Sequence, residues 1–589
     1  MPLNDIDPQS IAATWLEGFT TALTSGDASA SAECFQPNGF LRDINTFTWN
    51  RRCLGGREKI ADYLKTNNSP SAIRNIQLDT CPDLKPSISG ADTSFVVPMG
   101  EAVTSGFTFD VEQVGPGQGF VFLAPAADAP VSGCTWQAVS VFMRLNNITG
   151  HEEWLCENGV YGGHTLAWTD IRRERRQAIE KTPHVVIIGA GQTGLNLAAQ
   201  LTHMNIPTLV VETNQRVGDN WRKRYPTLSL HSAKAYSELL YQPFPTTWPI
   251  YAPRDKIADW LEQYASTQDL VVWTNSRPLP GPTYDTASRR WTIVIDRAGE
   301  LVTLEPAHVI VCGALGAPFT PHVENKDIFA GVALHCVNYR GGAPFAGKRV
   351  VVVGAGNTSV DICQDLVFHG AQTVTMVQRS ESSVSPVEAV RQATDELFPP
   401  HRTTDVSDLR LMAMPVPLIK RRYTANKPLI LEAFKGLHSA VESAGFKLRT
   451  DDDIFTVFYS GYGGYWYDVG CAELMKNGQV RVKQGVELAR FEREHVICTD
   501  GSSLEADVVI FATSFESMRD TMRGVFGHDI INQTSPVWGL DEEGELRGVY
   551  RPSGHPGLWF AAGEFFTARA YAKQLALQIK AIELGLLKL

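Results

Sequence analysis

Two glycine-rich stretches of the sequence carry residues whose types and spacing suit them to bind a dinucleotide. In the first stretch, an apolar run leads into Gly189, Gly191 and Gly194, and a helical pattern follows. The first glycine permits a tight turn, the second lets a pyrophosphate approach the backbone, and the third lets the helix pack closely on the strand. The start of the helix, at Gln192 and Thr193, supplies backbone donors for the phosphates.

An acidic residue completes this first stretch. The next apolar strand ends at Glu212, where a carboxylate can accept hydrogen bonds from the hydroxyl groups of a ribose. The first stretch therefore predicts a dinucleotide site, with a purely structural strand–turn–helix as the competing interpretation.

The second stretch repeats this framework with one change at the turn. Its strand leads into Gly354 and Gly356, and Asn357 and Thr358 begin the helix, but Ser359 stands where the third glycine would be. Serine is small enough for the helix and the strand to stay close, so we expect this stretch to bind a nucleotide as well.

A second change lies at the end of the next strand, where Gln378 and Arg379 replace the acidic residue. A carboxylate there would repel a ribose 2′-phosphate, whereas a neutral residue beside an arginine would accept it. We therefore expect NADPH rather than NADH at the second site. The alternative for Arg379 is a surface charge in solvent.

Two such sites in one chain predict electron transfer between two nucleotides, with resident FAD in the first site and NADPH as the exchangeable donor in the second. A reductase of the thioredoxin reductase type shares this plan but also needs a pair of redox cysteines. The cysteines near the two stretches form no C-x-x-C or similar pair, which argues against that class: Cys312, Cys336, Cys363, Cys471 and Cys498.

A chain of 589 residues is too long for one core, so several domains must position these stretches. From His184 onward strands and helices alternate, which predicts two Rossmann-like, doubly wound α/β domains. The region before them begins with a helical pattern and continues with alternating strands, an α+β domain. The predicted ranges are 1–160 for the α+β domain, 161–182 for a linker, 183–340 for the first part of the FAD-binding domain, 341–505 for the NADPH-binding domain and 506–589 for the closing part of the FAD-binding domain.

Composition and charge exclude several classes of partner. The formal net charge of −11 argues against nucleic acid and against an anionic membrane surface. No apolar run reaches the length of a transmembrane helix, and the polar start does not resemble a signal peptide. The cysteines have no metal-ligand spacing, so no metal site is expected, and a reducing, cytoplasmic location is the expectation.

Four residues between the two stretches carry a family resemblance. Phe329, Gly331, His335 and Tyr339 fit the pattern F-x-G-x-x-x-H-x-x-x-Y, through which the sequence resembles the flavin-containing monooxygenases. Baeyer–Villiger relatives end this motif with tryptophan followed by proline or aspartate. Here Tyr339 is followed by Arg340, so the chain resembles the N- or S-oxygenating and YUCCA-like branch.

Further segments of residues 183 to 589 resemble the same family. Trp221 lies in a G-x-x-W segment that the family places along the flavin, and Gly563 lies in the closing segment near the flavin. Ser514 replaces the glycine of a late A-T-G motif. His231 stands where animal members have asparagine and YUCCA-like members have histidine.

The resemblance implies an activity and roles for several residues. It implies that NADPH reduces the flavin, which forms a C4a-hydroperoxide with O2 and inserts one oxygen atom into a small organic substrate. His231 is expected to orient the reacting groups, with a histidine packed beneath the flavin as the alternative. Asn357, Tyr339 and Arg340 are expected to control the position of the nicotinamide.

The N-terminal region resembles the nuclear-transport-factor-like, or SnoaL-like, cone fold. Residues 1 to 150 contain no histidine, which such cones often use in catalysis, so a structural, dimerising or lid role is expected. Arg42 and Asp43 are expected to form an ion pair in the fold or at an interface, and a homodimer through this domain is one expectation.

Other functions stay open at this point. A Baeyer–Villiger enzyme or an NADPH oxidase is the alternative enzyme, and a flavin-bound scaffold protein is the alternative from another class. No short motif identifies the substrate.

Overall fold

The computed structural model describes residues 7–70, 72–89, 102–126, 136–154, 156–313, 316–461 and 463–589. Its N-terminal domain combines helices with a curved sheet. In chain order the elements are α1 (Pro8–Ser25), α2 (Ala28–Glu33), β1 (Phe35–Ile44), β2 (Arg51–Gly55), α3 (Arg57–Asn67), β3 (Ile73–Leu78), β4 (Ser87–Ser89), β5 (Ala102–Val111), β6 (Gly115–Pro125) and β7 (Trp136–Leu145).

The sheet of this domain is buried on both faces. Its strands run in the order β2–β1–β7–β6–β5–β3, with β4 paired to β5. Because side chains alternate along a strand, Leu41 and Val141 pack against α1 and its neighbours, whereas Phe40, Phe120 and Phe142 pack into the body of the molecule. The domain is therefore joined to the rest of the chain by a shared core.

A solvent-exposed helix leads into the first nucleotide unit. Helix α4 (Trp168–Lys181) buries none of its residues. The unit then contains β8 (Val185–Ile188), α5 (Gln192–His203), β9 (Thr208–Val211), α6 (Asp219–Arg222), α7 (Arg254–Thr267), β10 (Val271–Trp273), β11 (Ser276–Pro278), β12 (Thr283–Asp285), β13 (Arg290–Arg297), β14 (Glu300–Leu304) and β15 (His308–Cys312).

The second nucleotide unit is interrupted by a helical insertion. The unit begins with β16 (Val332–His335), β17 (Arg349–Val353), α8 (Asn357–Phe368) and β18 (Thr373–Gln378). The insertion follows as β19 (Ser383–Pro386), α9 (Val387–Leu397), α10 (Thr404–Met412), α11 (Val416–Ser443), α12 (Ile454–Gly461) and β20 (Tyr465–Asp468).

The chain then completes both units. The second unit closes with α13 (Cys471–Lys476), β21 (Val480–Gln484), β22 (Leu488–Phe491), β23 (His495–Cys498), β24 (Ser503–Glu505) and β25 (Val508–Phe511). The chain returns to the first unit through α14 (Met518–Thr521), α15 (Arg523–Asn532), β26 (Leu558–Ala561), α16 (Phe565–Ala570) and α17 (Ala572–Glu583).

Each unit is built on a parallel sheet, in the orders β10–β9–β8–β15–β26 and β16–β25–β17–β18–β21. The predicted pair of Rossmann-like, doubly wound units is confirmed. Strands β16 and β25 of the second sheet lie outside the predicted range 341–505. The chain enters the second unit at β16 and leaves it after β25. In each sheet, the glycine turn follows a central strand, β8 or β17, at its carboxyl end.

Two kinds of feature are absent from the described ranges, a membrane-spanning helix and a metal-binding cluster. No helix there combines the length and the apolar character that crossing a membrane requires. Across the same ranges, no group of three or more His, Cys, Asp or Glu side chains is arranged to hold a metal ion.

Candidate active site

The first glycine turn has the tight geometry that its sequence predicts. Gly189 has a φ of +107°, and a β-carbon on it would meet the carbonyl oxygen of Cys312 at 2.4 Å. A β-carbon on Gly194 would meet the carbonyl oxygen of Gly189 at 2.0 Å, so α5 can pack this closely only with glycine. At Gly191 the nearest neighbour would be the Asn220 amide at 3.3 Å, which leaves room for a ligand beside the backbone.

The second glycine turn has the same geometry with a different packing residue. Gly354 has a φ of +123°, and a β-carbon on it would meet the carbonyl oxygen of Ala512 at 2.5 Å and the Ser359 hydroxyl at 2.9 Å. Ser359 is completely buried, so it fills the space under the turn. In front of Gly356 the nearest atom to a β-carbon would be the Tyr465 carbonyl oxygen, at 3.8 Å.

Both turns lead into helices whose first amide groups are available to a ligand. Helix α5 begins at Gln192, next to Thr193, and α8 begins at Asn357, next to Thr358. Within the described residues, no side chain caps either helix. The first N–H groups of a helix have no partner inside it, and they attract anions such as a pyrophosphate. The two turns therefore fit the two dinucleotides that the sequence predicts.

Glu212 lies where a ribose-binding carboxylate is predicted. One carboxylate oxygen accepts the backbone N–H of Ala190, at 2.8 Å, and the other accepts the N–H of Asn214, also at 2.8 Å. These bonds fix the carboxylate beside the turn. Since an ionised carboxylate has about four acceptor positions, it retains capacity for ribose hydroxyl groups.

Gln378 is held by the backbone of a neighbouring segment. Its side chain is buried, donates to the backbone carbonyl of Lys447 at 2.9 Å and accepts the N–H of Lys447 at 2.8 Å. The amide therefore holds the chain after α11, and the part of Gln378 in binding a 2′-phosphate stays a prediction. Arg379 is different, because its side chain is 72% exposed and pairs with the exposed Glu487 at 3.0 Å. Such a surface pair is weak, so the guanidinium is free to turn to a ligand.

A cavity of about 270 Å³ lies between loops of the first unit, the start of α8 and the helical insertion. The first unit contributes polar and aromatic side chains, among them Trp221, Arg224, Tyr225, His231, Tyr236 and Glu564. The second unit contributes Asn357, Thr358 and Asp361, all in the first two turns of α8. The insertion contributes a mostly apolar wall, which includes Val390, Ala393, Leu397, Phe455, Phe458, Tyr465 and Tyr467.

A hydrogen-bond network crosses this cavity and joins the two units. Nδ1 of His231 lies 3.0 Å from the side-chain oxygen of Asn357, and Nε2 lies 3.2 Å from a carboxylate oxygen of Asp361. The Asn357 oxygen also accepts the N–H of Tyr467, at 3.0 Å, which fixes the orientation of the amide. The Tyr225 hydroxyl donates to the other Asp361 oxygen at 2.6 Å.

Both ring nitrogens of His231 therefore face acceptors, an arrangement that the doubly protonated ring satisfies. Burial lowers the pKa of His231, but the hydrogen bond and the charge of Asp361, with the bond to Asn357, raise it above its ordinary value. The structure thus brings together two predicted residues, His231 and Asn357, with two that sequence reasoning missed, Asp361 and Tyr225.

Tyr339 and Arg340 do not line the cavity, and their control of the nicotinamide stays a prediction. Tyr339 is fully buried, and its hydroxyl donates to Asp365 of α8 at 2.6 Å. Arg340 is exposed and donates to the backbone carbonyl of Val337 at 2.6 Å. The motif that contains them holds the connection between the two units, since His335 also bonds the Ser514 carbonyl at 3.1 Å.

Ser514 and Gly563 occupy tight turns after strands β25 and β26. Ser514 has a φ of +72°, in the region that favours glycine, which explains why the family motif has glycine there. Gly563 has a φ of +131°, and a β-carbon on it would meet Thr567 at 2.6 Å. Trp221 lies in the cavity wall with its indole N–H buried and, within the described residues, unpaired, so it can donate to a ligand.

Glu564 is a further cavity residue that sequence reasoning missed. It begins α16, where its carboxylate accepts the Tyr236 hydroxyl at 2.9 Å and the Thr567 hydroxyl at 2.7 Å. Burial raises the pKa of Glu564, although these hydrogen bonds act in the opposite direction. The sequence could have indicated Glu564, because Glu564 directly follows the predicted Gly563.

Comparisons with known proteins agree with this site. Residues 186–399 match the family described as pyridine nucleotide-disulphide oxidoreductase. The indole-3-pyruvate monooxygenase YUCCA1 of Oryza sativa subsp. japonica is 30% identical over 346 residues, which cover 59% of this chain and 79% of the relative. The probable indole-3-pyruvate monooxygenase YUCCA9 of Arabidopsis thaliana is 28% identical over 396 residues, covering 66% of this chain and 85% of the relative.

Solved structures are similar at low identity, and the first of the two below supports the shared fold. A structure of OTEMO in complex with FAD and NADP has a TM-score of 0.50 and 18% identity, and covers 69% of this chain and 86% of its own. The flavin-containing monooxygenase of Stenotrophomonas maltophilia has a TM-score of 0.47 and 19% identity, and covers 68% of this chain and 99% of its own.

The two glycine turns, the aromatic cavity and the YUCCA relatives define a class of enzyme. The chain belongs to the flavin-containing monooxygenase family. It is an FAD- and NADPH-dependent monooxygenase. The cysteines near the turns agree with this class rather than with a disulfide reductase, because Cys312, Cys363 and Cys471 are buried free thiols.

Proposed function

We propose that the first turn, with Glu212, holds FAD, that the second turn, with Arg379, holds NADPH, and that the cavity between them takes the organic substrate. One observation carries the proposal: loops of the first unit, the start of α8 and the insertion line one cavity, with Trp221 and Asn357 in its wall. In open parallel sheets, ligands bind at the carboxyl ends of the strands, where both turns lie.

The bound flavin supplies the reaction with O2, and the protein supplies position, a dry site and protons. The His231 ring, charged and shared between Asp361 and Asn357, holds a proton at Nε2 in the wall of the cavity. Burial at the aromatic wall excludes water from the reacting atoms, since Phe455, Phe458 and Leu397 line it.

The lining of the cavity supports a small aromatic substrate. Phe455, Phe458 and Tyr465 present faces on which a ring can stack, and Arg224 is a cation in the same wall. We assign the chain to the YUCCA-like branch on this lining and on the relatives above. Indole-3-pyruvate, the compound in the relatives' names, is accordingly the first substrate to test.

Product analysis under ¹⁸O2 tests this proposal. The purified enzyme with FAD and NADPH is expected to place one ¹⁸O atom in the product of indole-3-pyruvate or of another aromatic substrate. Aromatic amines, thioethers and ketones in the same panel distinguish N- or S-oxygenation from a Baeyer–Villiger reaction. NADPH consumption that yields only hydrogen peroxide with every substrate would identify an NADPH oxidase and overturn the proposal.

We further propose that the N-terminal domain, a nuclear-transport-factor-like fold, is a structural support for the cavity. Arg42 donates to the carbonyl of Met412 at 2.5 Å, and the Ser140 hydroxyl donates to the carbonyl of Ala413 at 2.9 Å. Both acceptors lie at the end of α10, between helices α9 and α12, which line the cavity. The domain therefore holds the insertion in place from outside.

Removal of residues 1–182 tests this support. The shortened chain is expected to lose bound flavin or to aggregate, since it exposes the core that it shares with Phe40, Phe120 and Phe142. Full retention of flavin, activity and oligomeric state would contradict a structural role. Size-exclusion chromatography of the full chain tests the predicted homodimer in the same experiment.

A further inference from the structure

His231 and Asp361 separate two cavities. On the outer side of the pair lies a groove of about 850 Å³, lined by Gln364, Phe368 and other residues of α8 and its surroundings. On the inner side lies the cavity of about 270 Å³ described above. The residues common to both linings are Ser229, Leu230, His231 and Asp361. The groove and the cavity therefore share a wall in which His231 and Asp361 supply the long polar side chains.

Asp361 is held in this wall from the side opposite His231. Its two oxygens have different partners, the His231 ring at 3.2 Å and the Tyr225 hydroxyl at 2.6 Å. Tyr225 is almost fully buried, so the hydroxyl is a fixed donor rather than a mobile surface group. Asp361 also lies one helical turn after Asn357, so both side chains lie on one face of α8 and hold the two nitrogens of the same ring.

We propose that Asp361, fixed by Tyr225, is a positioning residue that keeps His231 protonated and closed across the passage between the outer groove and the inner cavity. The inference rests on the proposed flavin and substrate site and adds a residue and an access route to it. The groove opens to solvent beside the exposed Phe368 and gives a small organic molecule a path to the cavity. This path does not run along the turn proposed for NADPH, because the groove is lined by later residues of α8, from Asp361 to Phe368, and not by residues 354–358.

The charge of His231 depends mainly on Asp361. The charged or titratable groups of the two linings around the ring are Asp361 and Asp365 from α8, Arg224, Tyr225, Tyr236 and Tyr251 from the segment between α6 and α7, Tyr465 and Tyr467 from β20, and Glu564 just before α16. Of these, Asp361 bonds the ring directly. Loss of its charge should lower the pKa of His231, because an opposite charge in contact favours the protonated ring.

Two readouts on the full-length enzyme test the proposal. The first is the pH titration of the His231 ring by NMR of protein labelled at histidine Cε1, with the signal assigned by its loss in His231→Gln. The pKa of His231 is expected to fall by at least about 1 in Asp361→Asn and to be retained in Asp361→Glu. An unchanged titration in Asp361→Asn would overturn the charged state that we assign.

The second readout is quenching of flavin fluorescence by acrylamide, a neutral probe whose approach does not depend on the charge removed. The quenching constant is expected to rise about twofold or more in Asp361→Asn. It should stay unchanged in Gln364→Ala, the matched control, because Gln364 lines the groove but bonds the Val469 carbonyl rather than His231. If Asp361→Asn fails to fold, Tyr225→Phe loosens the same carboxylate and should also raise quenching. Equal quenching in folded variants and wild type would overturn the barrier.

The two readouts separate this inference from the proposed function. The titration of His231 does not depend on flavin, so a protein that binds no flavin would refute the proposed function and still test the role of Asp361.

Discussion

At the scale of single residues, the two nucleotide turns differ in what their strand-end side chains bind. Glu212 is fixed by the backbone N–H of Ala190, in the first turn, and by that of Asn214, just after β9. Gln378 instead bonds the backbone of Lys447, and Arg379 remains outside with only a surface partner, Glu487. Under the proposed assignment, the discrimination between NADPH and NADH depends on the exposed guanidinium of Arg379.

Replacement of this guanidinium tests that dependence. Arg379→Ala is expected to raise the KM for NADPH on the order of tenfold and to leave the KM for NADH nearly unchanged, because the lost bond is to the 2′-phosphate. Glu487→Ala is the matched control, since it removes only the competing carboxylate and should not raise the KM for NADPH. Equal effects of Arg379→Ala on both nucleotides, measured by steady-state kinetics, would contradict the assignment.

Asp43 gives a prediction about pH and stability. It pairs with Tyr63, whose hydroxyl donates at 2.7 Å, rather than with Arg42, which corrects the expected Arg42–Asp43 ion pair. The two side chains are consecutive on β1 and point to opposite faces. Burial raises the pKa of Asp43 to about 6, although its hydrogen bonds act in the opposite direction.

A raised pKa of an acid means that the folded protein binds this proton more tightly than the unfolded chain does. The stabilising contribution is then complete below about pH 4 and is lost as the pH rises to about 6, by about 3 kcal/mol at most. Asp43→Asn is expected to flatten the fall in Tm between pH 4 and 6, as measured by thermal unfolding. A wild-type slope in the variant would contradict the raised pKa.

The part of the site that local sequence determines could be predicted, and the part that depends on distant segments could not. The conformations at Gly189 and Gly354 follow from adjacent residues, so the pattern indicated both turns. The partners of Gln378 and Tyr339, which are Lys447 and Asp365, come from other elements and only the fold brings them together. Asp361 could have been predicted from the sequence, since it lies one helical turn after the predicted Asn357.

At the scale of elements, the starts of α5 and α8 are the proposed binding elements, and α9 and α12 of the insertion line the cavity at the start of α8. The glycines of the two turns have different tasks. Gly194 lies between helix and strand and has no room for a methyl group, whereas Gly356 faces open space. A methyl group at each position should therefore have a different consequence.

Gly356→Ala is expected to fold and to retain FAD while its affinity for NADPH falls about tenfold or more, because the methyl group projects where the backbone meets a phosphate. Gly436→Ala in α11, where a β-carbon meets nothing within 4 Å, is the matched control and should change neither property. The flavin content of each purified variant measures FAD retention, and titration with NADPH measures the affinity for NADPH. Normal NADPH binding by Gly356→Ala would contradict the location of the second nucleotide.

At the scale of the whole molecule, the N-terminal domain and the catalytic body are joined by a buried charge cluster. Glu545, in the loop before β26, binds Arg42 at 2.5 Å and Arg51 at 3.2 Å, and all three side chains are almost inaccessible to solvent. The Arg42 guanidinium also donates to the Met412 carbonyl and to the Tyr571 hydroxyl, so its other hydrogen bonds are to protein groups. Removal of the carboxylate leaves two buried cations without their counter-charge.

Glu545→Gln is expected to destabilise the protein by about 3–5 kcal/mol, because an uncompensated buried charge is costly. The neighbouring Glu543 pairs with Arg52 at 2.6 Å, but both side chains are partly exposed, so Glu543→Gln should cost about 1 kcal/mol or less. Urea unfolding followed by flavin release compares the two variants. Similar losses in both would contradict the buried cluster as the connection between the domains.

The central claim, that the first unit holds FAD and the second delivers electrons from NADPH, is tested most directly by anaerobic mixing. The flavin-loaded enzyme is expected to bleach at its visible absorption bands on addition of NADPH, and far more slowly on addition of NADH at the same concentration. Flavin that stays oxidised in the presence of NADPH would contradict the account.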